Sequence, residues 1–177
     1  QQPDLLKTVT NGFGAEIELE YSPLVGDLNN SQPLYTPSSQ KPVFPQRHAH
    51  RGMQVVKKLS TSDGLGGLRH RYFNYTGAKQ DLQGRGFLGF EKIVVTDTSL
   101  GTVSTVNYHQ DFPFIGQVAS AEVKDVSGNL ISINDNHYVV HGSNARFAYM
   151  DYSITRQYGL TTSSPNSPLS VTKLENN

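Results

Sequence analysis

One stretch of this sequence constrains the fold more than any other: Asp81–Phe90, a glycine-rich segment that follows the run Arg69–Tyr75. Aromatic and β-branched residues, which favour strands, flank the glycines, which favour a tight turn. The pattern predicts a strand, a turn and a second strand, with aromatic side chains packing across the pair. It contains no nucleophile, metal-ligand set or cofactor cradle, and therefore indicates a structural β module.

The alternation of strand formers and turns continues along the chain. Asn11-Gly12-Phe13-Gly14 separates two short β runs, and Asn-Gly in that position predicts a hairpin because both residues tolerate positive φ. In the second run, Ile17, Leu19 and Tyr21 alternate with three glutamates, which predicts a strand with one buried and one solvent-exposed face. Further strands are predicted at 54–60, 69–75, 87–96, 102–108, 116–124, 130–140 and 146–158.

Strands at this spacing, without a capped helical period, predict an all-β fold of antiparallel hairpins in a sheet or sandwich. We expect a single β domain over residues 1–160. Five of the nine prolines fall between Ser22 and Gly52, so residues 28–52 are predicted to form a long Pro-rich surface loop. Residues 161–177 are predicted to be a linker or disordered tail. Because Gln1 replaces an initiator Met, we expect a fragment of a larger protein.

Composition excludes several classes of function. The formal net charge is +0, with 15 basic and 15 acidic side chains, so nucleic-acid binding through clustered Lys and Arg is not expected. The chain has no cysteine, which excludes disulfides and thiolate metal sites. No apolar run approaches the ~20 residues that cross a bilayer, so no membrane span is predicted.

Residues 84–89 match the G-x-G-x-x-G pattern of dinucleotide-binding loops. That function requires a helix opening from the loop, whose N–H groups meet the pyrophosphate. Here the β-branched run Phe90–Thr96 follows, and no further kinase motif lies downstream. We interpret the glycines as turn or bulge residues and predict no cofactor and no cofactor-binding residue.

Glu16, Glu18 and Glu20 form two overlapping E-x-E pairs, and Ser60-Thr61-Ser62 reads S-T-S. Both elements occur in mono-ADP-ribosyltransferases, where the acidic pair comes last; here it comes first. Strand alternation already accounts for three solvated glutamates. Since no G-x-S-x-G elbow occurs either, the chain is predicted to be non-enzymatic, with no catalytic residue.

His48 and His50 would lie on one side of a strand, which is a starting point for a zinc site, and His137 and His141 add two imidazoles. No third ligand is fixed by spacing, so exposed loop histidines are the preferred interpretation. The acidic spacing of an EF-hand is also absent around Asp125. No metal site is predicted.

Four elements support a family resemblance, at residues 7–14, 63–67, 84–90 and 108–116: K-T-V-T-N-G-F-G, D-G-L-G-G, G-R-G-F-L-G-F and Y-H-Q-D-F-P-F-I-G. With them the chain resembles the middle region of the insecticidal toxin complex B component, a region shared with SpvB-like and Rhs (YD-repeat) proteins. The resemblance covers about residues 5–125, and residues 116–140 resemble one Rhs-like repeat. It is weakest over the Pro-rich stretch and from Ala145 onward.

The resemblance implies a role that composition does not. In that family the B component joins a C component in a hollow, Rhs-like β shell around a toxic polypeptide, and a propeller on B docks the pore-forming A component. It implies a structural segment of the shell, partnered by the rest of its own parent chain and by the A and C components. It also implies a secreted or cell-surface bacterial protein acting in virulence. The enzymatic parts of the family lie elsewhere, so no catalytic residue is carried over.

Two further expectations follow from a strip of hairpins. Its open edges pair readily with other strands, so we expect either self-association or an edge covered by a loop of the chain itself. As an alternative function, an extracellular β domain could bind carbohydrate or protein through an aromatic platform. The candidate residues are Tyr72, Tyr75, Tyr108 and Phe112, but as strand residues they are better interpreted as core or cross-strand pairs.

Overall fold

The computed structural model describes residues 4–24, 33–49, 52–142, 147–159 and 167–176. Within them the regular structure is all-β, which confirms the predicted fold class. The strands are β1 (Thr8–Thr10), β2 (Glu16–Pro23), β3 (Tyr35–Thr36), β4 (Gln46–His48), β5 (Gln54–Ser62), β6 (Leu68–Thr76), β7 (Lys79–Asp81), β8 (Gly86–Gly89), β9 (Lys92–Asp97), β10 (Thr102–Tyr108), β11 (Val118–Asp125), β12 (Leu130–His141), β13 (Phe147–Gln157) and β14 (Ser170–Glu175).

Most strands belong to one long antiparallel sheet of order β1-β2-β5-β6-β9-β10-β11-β12-β13-β14. β3 joins it in parallel at Tyr75 and Thr76 of β6, beyond the residues of β6 that pair with β5. A short segment of the chain therefore covers the part of β6 that β5 leaves open. A second sheet contains three strands, in the order β4-β7-β8.

The tight turns of the long sheet lie at one end of its strands, which we call the turn rim. The registers place them there, because Ile17 pairs with Thr61, Arg71 with Asp97, and Thr102 with Asp125. The turn rim comprises residues 11–14, 63–67, 97–101 and 125–129. The connections that begin after β2, β6, β10 and β12 lie at the opposite end.

The first hairpin is confirmed, but its turn chemistry differs from the prediction. The positive φ is at Gly14 (+79°) and not at Asn11 or Gly12. Asn11 instead accepts hydrogen bonds at Oδ1 from the amides of Phe13 and Ala15, each at 2.9 Å. Asp63, Asp81 and Asp125 repeat this arrangement, each with a positive-φ glycine three residues later.

The core joins the two sheets. Buried Val55 and Tyr75 from the long sheet contact Ala49 and Ala78, which flank strands of the small sheet. Partly buried aromatics surround them, and Tyr75 packs on Phe90 with ring centroids 4.7 Å apart. This packing fixes the small sheet against one side of β6 and β9.

Residues 87–96 do not form the single strand that was predicted. They divide into β8, which pairs with β7, and β9, which pairs with β6. Gly89 has φ +86° at the break, and this backbone conformation redirects the chain from the small sheet into the long one. The turn after Asp81 therefore joins β7 to β8, and not β6 to its neighbour.

The predicted loop and tail also contain structure. Of residues 28–52, residues 33–49 and 52 are described, and the segment 33–49 contributes β3, β4 and the buried Leu34 and Ala49. This part is a core segment, since Pro-rich sequence still allows short edge strands. In the predicted tail, residues 170–175 pair with β13 as β14, because Val171, Thr172 and Leu174 favour strand structure. Residues 161–166 lie outside the described residues.

The predicted buried face of β2 is only partly buried. Leu19 and Tyr21 are half-buried, whereas Ile17 is 40% exposed. Ile17 lies beside the turn rim, where β2 extends past the core.

Candidate interaction surfaces

Two of the signature elements, residues 84–90 and 108–116, contact each other in what we call the motif junction. The Arg85 guanidinium lies over the Phe112 ring, 4.5 Å from its centroid. Asp81 orients Arg85 from the other end of the same turn, with 3.7 Å between carboxylate and guanidinium. Cation–π contacts of this kind stabilise by about 0.5–1 kcal/mol at exposed sites.

Gln110 supplies the buried part of the motif junction. It is 5% exposed, and its Nε2 donates to the carbonyls of Gly77 at 2.7 Å and Gly89 at 2.9 Å. Gln46 of β4 donates to Asp111 Oδ1 at 2.8 Å. The junction thus ties the small sheet to the β10–β11 connection, and its polar groups serve architecture.

The G-x-G-x-x-G segment forms a turn and a strand. Gly84, Gly86 and Gly89 have φ values of +107°, +73° and +86°. The last four residues of the pattern are β8, and they pair with β7. These values support the interpretation that the glycines serve backbone shape, since a pyrophosphate cradle needs a helix at this point.

The E-x-E and S-T-S elements lie on neighbouring strands, with Glu18 directly opposite Ser60. Ser60 is only 1% exposed and is hydrogen-bonded to His70 Nδ1 at 3.0 Å. Glu20 forms an ion pair with Lys58 at 2.9 Å, and the Lys58 hydrogen bond lowers the pKa of Glu20. The hydroxyl is therefore enclosed, and Glu18 and Glu20 lie on the exposed sheet surface.

The histidines considered as metal ligands are not brought together in the described residues. His48 lies on β4 of the small sheet, whereas His137 and His141 lie on β12 of the long sheet. His50 lies outside the described residues. Across the described ranges no group of three His, Cys, Asp or Glu side chains is placed to hold a metal ion. The same ranges contain no helix long and apolar enough to cross a membrane.

The aromatic side chains considered as a sugar platform are separated. Tyr72 and Tyr75 lie three residues apart on β6 and point to opposite faces, and Tyr75 is buried against Phe90. Burial raises the pKa of Tyr75 to about 12. Phe112 is covered by Arg85, and Tyr108 ends β10. Tyr75 is therefore a core residue and Phe112 a junction residue, whereas Tyr72 is 39% exposed, so the four side chains do not form one platform.

The two faces of the sheet differ in chemistry across β10–β14. Residues paired directly across an antiparallel sheet point to the same face, so the registers assign every side chain. One face, which we call the neutral face, carries hydroxyl, amide and small apolar groups. It is formed by Ser104, Val106, Ala121, Val123, Ser132, Asn134, Asn136, Ser153, Thr155, Gln157, Ser170, Thr172 and Leu174.

The opposite face of the same strands, the charged face, contains ion pairs. Lys124 and Glu122 are 2.7 Å apart, and Arg156 bonds Asp135 across β12 and β13. His137 stacks on Tyr152 with centroids 4.6 Å apart. Lys173 and Glu175 continue the face onto β14. The sequence analysis did not predict this difference in charge between the two faces. The Ser, Thr and Asn residues at every second position are the pattern that indicates it.

The sequence profile of the family described as "Insecticide toxin TcdB middle/N-terminal region" matches residues 1–121. The chain belongs to this family. The match confirms the resemblance to the middle region of a toxin-complex B component. The family is a structural region of that toxin complex. The motif junction lies within the matched residues, and most of the neutral face lies beyond them.

Two solved structures share the fold of this TcdB-family chain. The crystal structure of TcdB2-TccC3-Cdc42 has a TM-score of 0.61 at 14% identity and covers 87% of this chain and 10% of that chain. The crystal structure of TcdB2-TccC3 has a TM-score of 0.61 at 13% identity and covers 87% of this chain and 11% of that chain. The chain thus spans about a tenth of the length of each. No curated protein matches it.

Proposed function

We propose that this chain is a non-enzymatic wall segment of a toxin-complex B component, and that it contributes to a β shell that encloses and helps deliver a toxic polypeptide. The observation that carries the proposal is the long sheet itself. Its path of ten antiparallel strands ends in β1 on one side and β14 on the other. Each end strand pairs on one edge only within the described residues, so the sheet is built to continue.

Family membership supports the same function. The matched family is a region of an insecticidal toxin, and the similar solved structures are complexes of a TcdB2 chain with a TccC3 chain. We infer that the partners of this segment are the rest of its parent chain and a C component, with an A component as the further partner in delivery. The resulting assembly would be a secreted or cell-surface bacterial virulence factor.

Hydrogen exchange tests whether the sheet continues beyond this segment. In the full B component, we expect amides of β14 to be protected like those of central β10, because a neighbouring strand pairs with the outer edge. In the 177-residue chain alone, the same β14 amides should exchange faster, whereas β10 is protected in both. Equal, fast exchange of β14 in both proteins would show that the sheet ends here and would remove the wall proposal.

A further inference from the structure

The neutral face of β10–β14 is the least charged part of the long sheet. The row Ser104, Val123, Ser132, Gln157 and Ser170 contains no ionisable side chain. The next row, through Val106, Ala121, Asn134, Thr155 and Thr172, contains none either. At about 4.8 Å per strand, five strands give a neutral patch about 20 Å wide.

The ionisable side chain nearest to this patch in register is engaged elsewhere. Asp125 pairs with Thr102 at the turn rim, and its carboxylate accepts hydrogen bonds from the Asn129 side chain at 2.7 Å and backbone at 2.8 Å. These bonds lower the pKa of Asp125 and hold the carboxylate in the turn. It therefore contributes little to the field over the patch.

The polar groups of the patch are already ordered. Asn134 Nδ2 donates to Ser153 Oγ at 2.8 Å and to Thr155 Oγ1 at 2.9 Å. Asn136 donates from Nδ2 to the Val118 carbonyl at 2.9 Å. Because hydroxyls and side-chain amides both donate and accept, the patch can match peptide groups of any sequence, and little side-chain entropy is lost on contact.

The opposite face suits water. Its ion pairs carry mixed signs, which is the composition that keeps an outer protein surface soluble. Fixed charges facing an enclosed chain would instead attract or repel cargo segments according to their charge. The neutral face also has few large apolar side chains, so it would not bind an enclosed polypeptide strongly enough to oppose its release.

We propose that the neutral face of β10–β14 lies toward the shell interior and is the surface that contacts the enclosed polypeptide, while the charged face lies outward. This inference rests on the proposed wall function and adds to it the orientation of the wall and the partner of one face. The occupant is the enclosed polypeptide, contacted through its peptide groups without selection for side-chain charge.

Single cysteines test the orientation, because the chain itself contains none. Thr155→Cys and Ser104→Cys place thiols on the neutral face, and Ile154→Cys and Thr105→Cys place them on the charged face one residue away. All four positions are partly buried, so each neighbouring pair is matched. Each variant of the B component is treated with a 5 kDa polyethylene-glycol maleimide, alone and assembled with its C component. The unlabelled cysteine peptide is then quantified by mass spectrometry.

We expect assembly to slow labelling of the two neutral-face cysteines at least tenfold and to leave the charged-face cysteines unchanged. If assembly protects the charged-face cysteines, alone or together with the neutral-face ones, the proposed orientation is wrong, although a closed shell still forms. Identical labelling of all four before and after assembly would show that no closed shell forms, and the wall function would fail with it.

Contact with the cargo is tested in the same variants. A benzophenone maleimide on Thr155→Cys should crosslink to the enclosed polypeptide on irradiation, whereas the same probe on Ile154→Cys should not. Cargo crosslinks from Ile154→Cys that equal those from Thr155→Cys would contradict the inference even if the labelling experiment supported it.

Discussion

At the scale of single residues, the buried Gln110 links the small sheet to the rest of the fold. Its amide donates to the carbonyl of Gly77, between β6 and β7, and to that of Gly89, the last residue of β8. Both bonds would be lost with the side chain, and the Gly77 carbonyl would keep only the Glu91 amide, at 3.2 Å. A polar residue within a signature motif therefore has a structural role inside the fold.

Gln110→Ala should reduce the free energy of unfolding by roughly 1–3 kcal/mol, because a buried side chain loses its hydrogen bonds to two carbonyls. Urea denaturation followed by circular dichroism measures the change. Gln83→Ala is the matched control, since Gln83 is exposed in the β7–β8 turn, and it should change stability by less than about 0.5 kcal/mol. Equal effects of the two substitutions would contradict the role assigned to Gln110.

The turn-rim aspartates predict the pH dependence of stability. Backbone amides of Leu65 and Gly67 lower the pKa of Asp63, and the Leu100 amide with Arg71 lowers that of Asp97. A carboxyl whose folded pKa is depressed stabilises the fold above its ordinary value of 3.8 and loses that contribution as pH falls through the folded pKa.

Thermal unfolding should therefore show a melting temperature that falls between about pH 4 and pH 2. Asp125→Asn keeps an acceptor in the turn but cannot titrate, so its melting temperature should depend less on pH over this range. Asp4→Asn is a suitable control at a position outside the turns. A pH profile of Asp125→Asn that is as steep as that of the unmodified chain would argue against the turn carboxylates as its cause.

At the scale of elements, the break between β8 and β9 decides the topology. Gly89 adopts φ +86°, a conformation that an L side chain enters at a cost of roughly 1–2 kcal/mol. A Cβ at Gly89 would meet no atom within 4 Å, so the cost of Gly89→Ala is backbone strain without a clash.

Gly89→Ala should accordingly destabilise the chain by roughly 1–2 kcal/mol in urea denaturation. Gly12→Ala is the matched control, because Gly12 also has open space where the new methyl group would lie but no positive φ. The strain account would be wrong if both substitutions were tolerated equally.

The sequence predicted the strands but not where strand continuity breaks. Alternation and turn residues identified most strands of the long sheet, because hairpin signals are local. The division of residues 87–96 could not be predicted, since it depends on Phe90 packing against Tyr75 from a distant strand. β14 was not predicted because its strand-forming residues lie within a polar tail, and its pairing with β13, with Lys173 over the Tyr152 ring, is a long-range contact.

The candidate surfaces were predictable to a different degree. The motifs at 84–90 and 108–116 were recognisable as sequence, but the Arg85–Phe112 contact joins segments whose spatial relation no local pattern contains. The neutral face needs the register of five strands, and the three β-bulges within these pairings shift that register. Sequence alternation alone therefore left the charge contrast hidden.

At the scale of the whole molecule, the sheet ends in an exposed edge. All residues of β14 are exposed, including Val171 and Leu174, and β13 occupies one of its edges. β3 covers part of β6 in the middle of the sheet, and among the described residues no strand pairs with the outer edge of β14. Open apolar edges of this kind recruit other strands.

The isolated chain should therefore self-associate with rising concentration in analytical ultracentrifugation. Val171→Lys with Leu174→Lys should shift the equilibrium toward monomer, because lysines on an edge strand oppose pairing. Leu100→Lys, which removes an exposed apolar side chain at the turn rim, is the control and should leave association unchanged. A chain that stays monomeric at all concentrations would contradict this expectation.

The stacking of Arg85 on Phe112 has a consequence for anyone recombining family members. Two separate segments of the polypeptide form one contact, so exchanging one segment without the other would change only one partner of that contact. Chimeras with a crossover between residues 90 and 108 would unite mismatched halves, whereas crossovers before residue 77 or after residue 117 would transfer the pair intact.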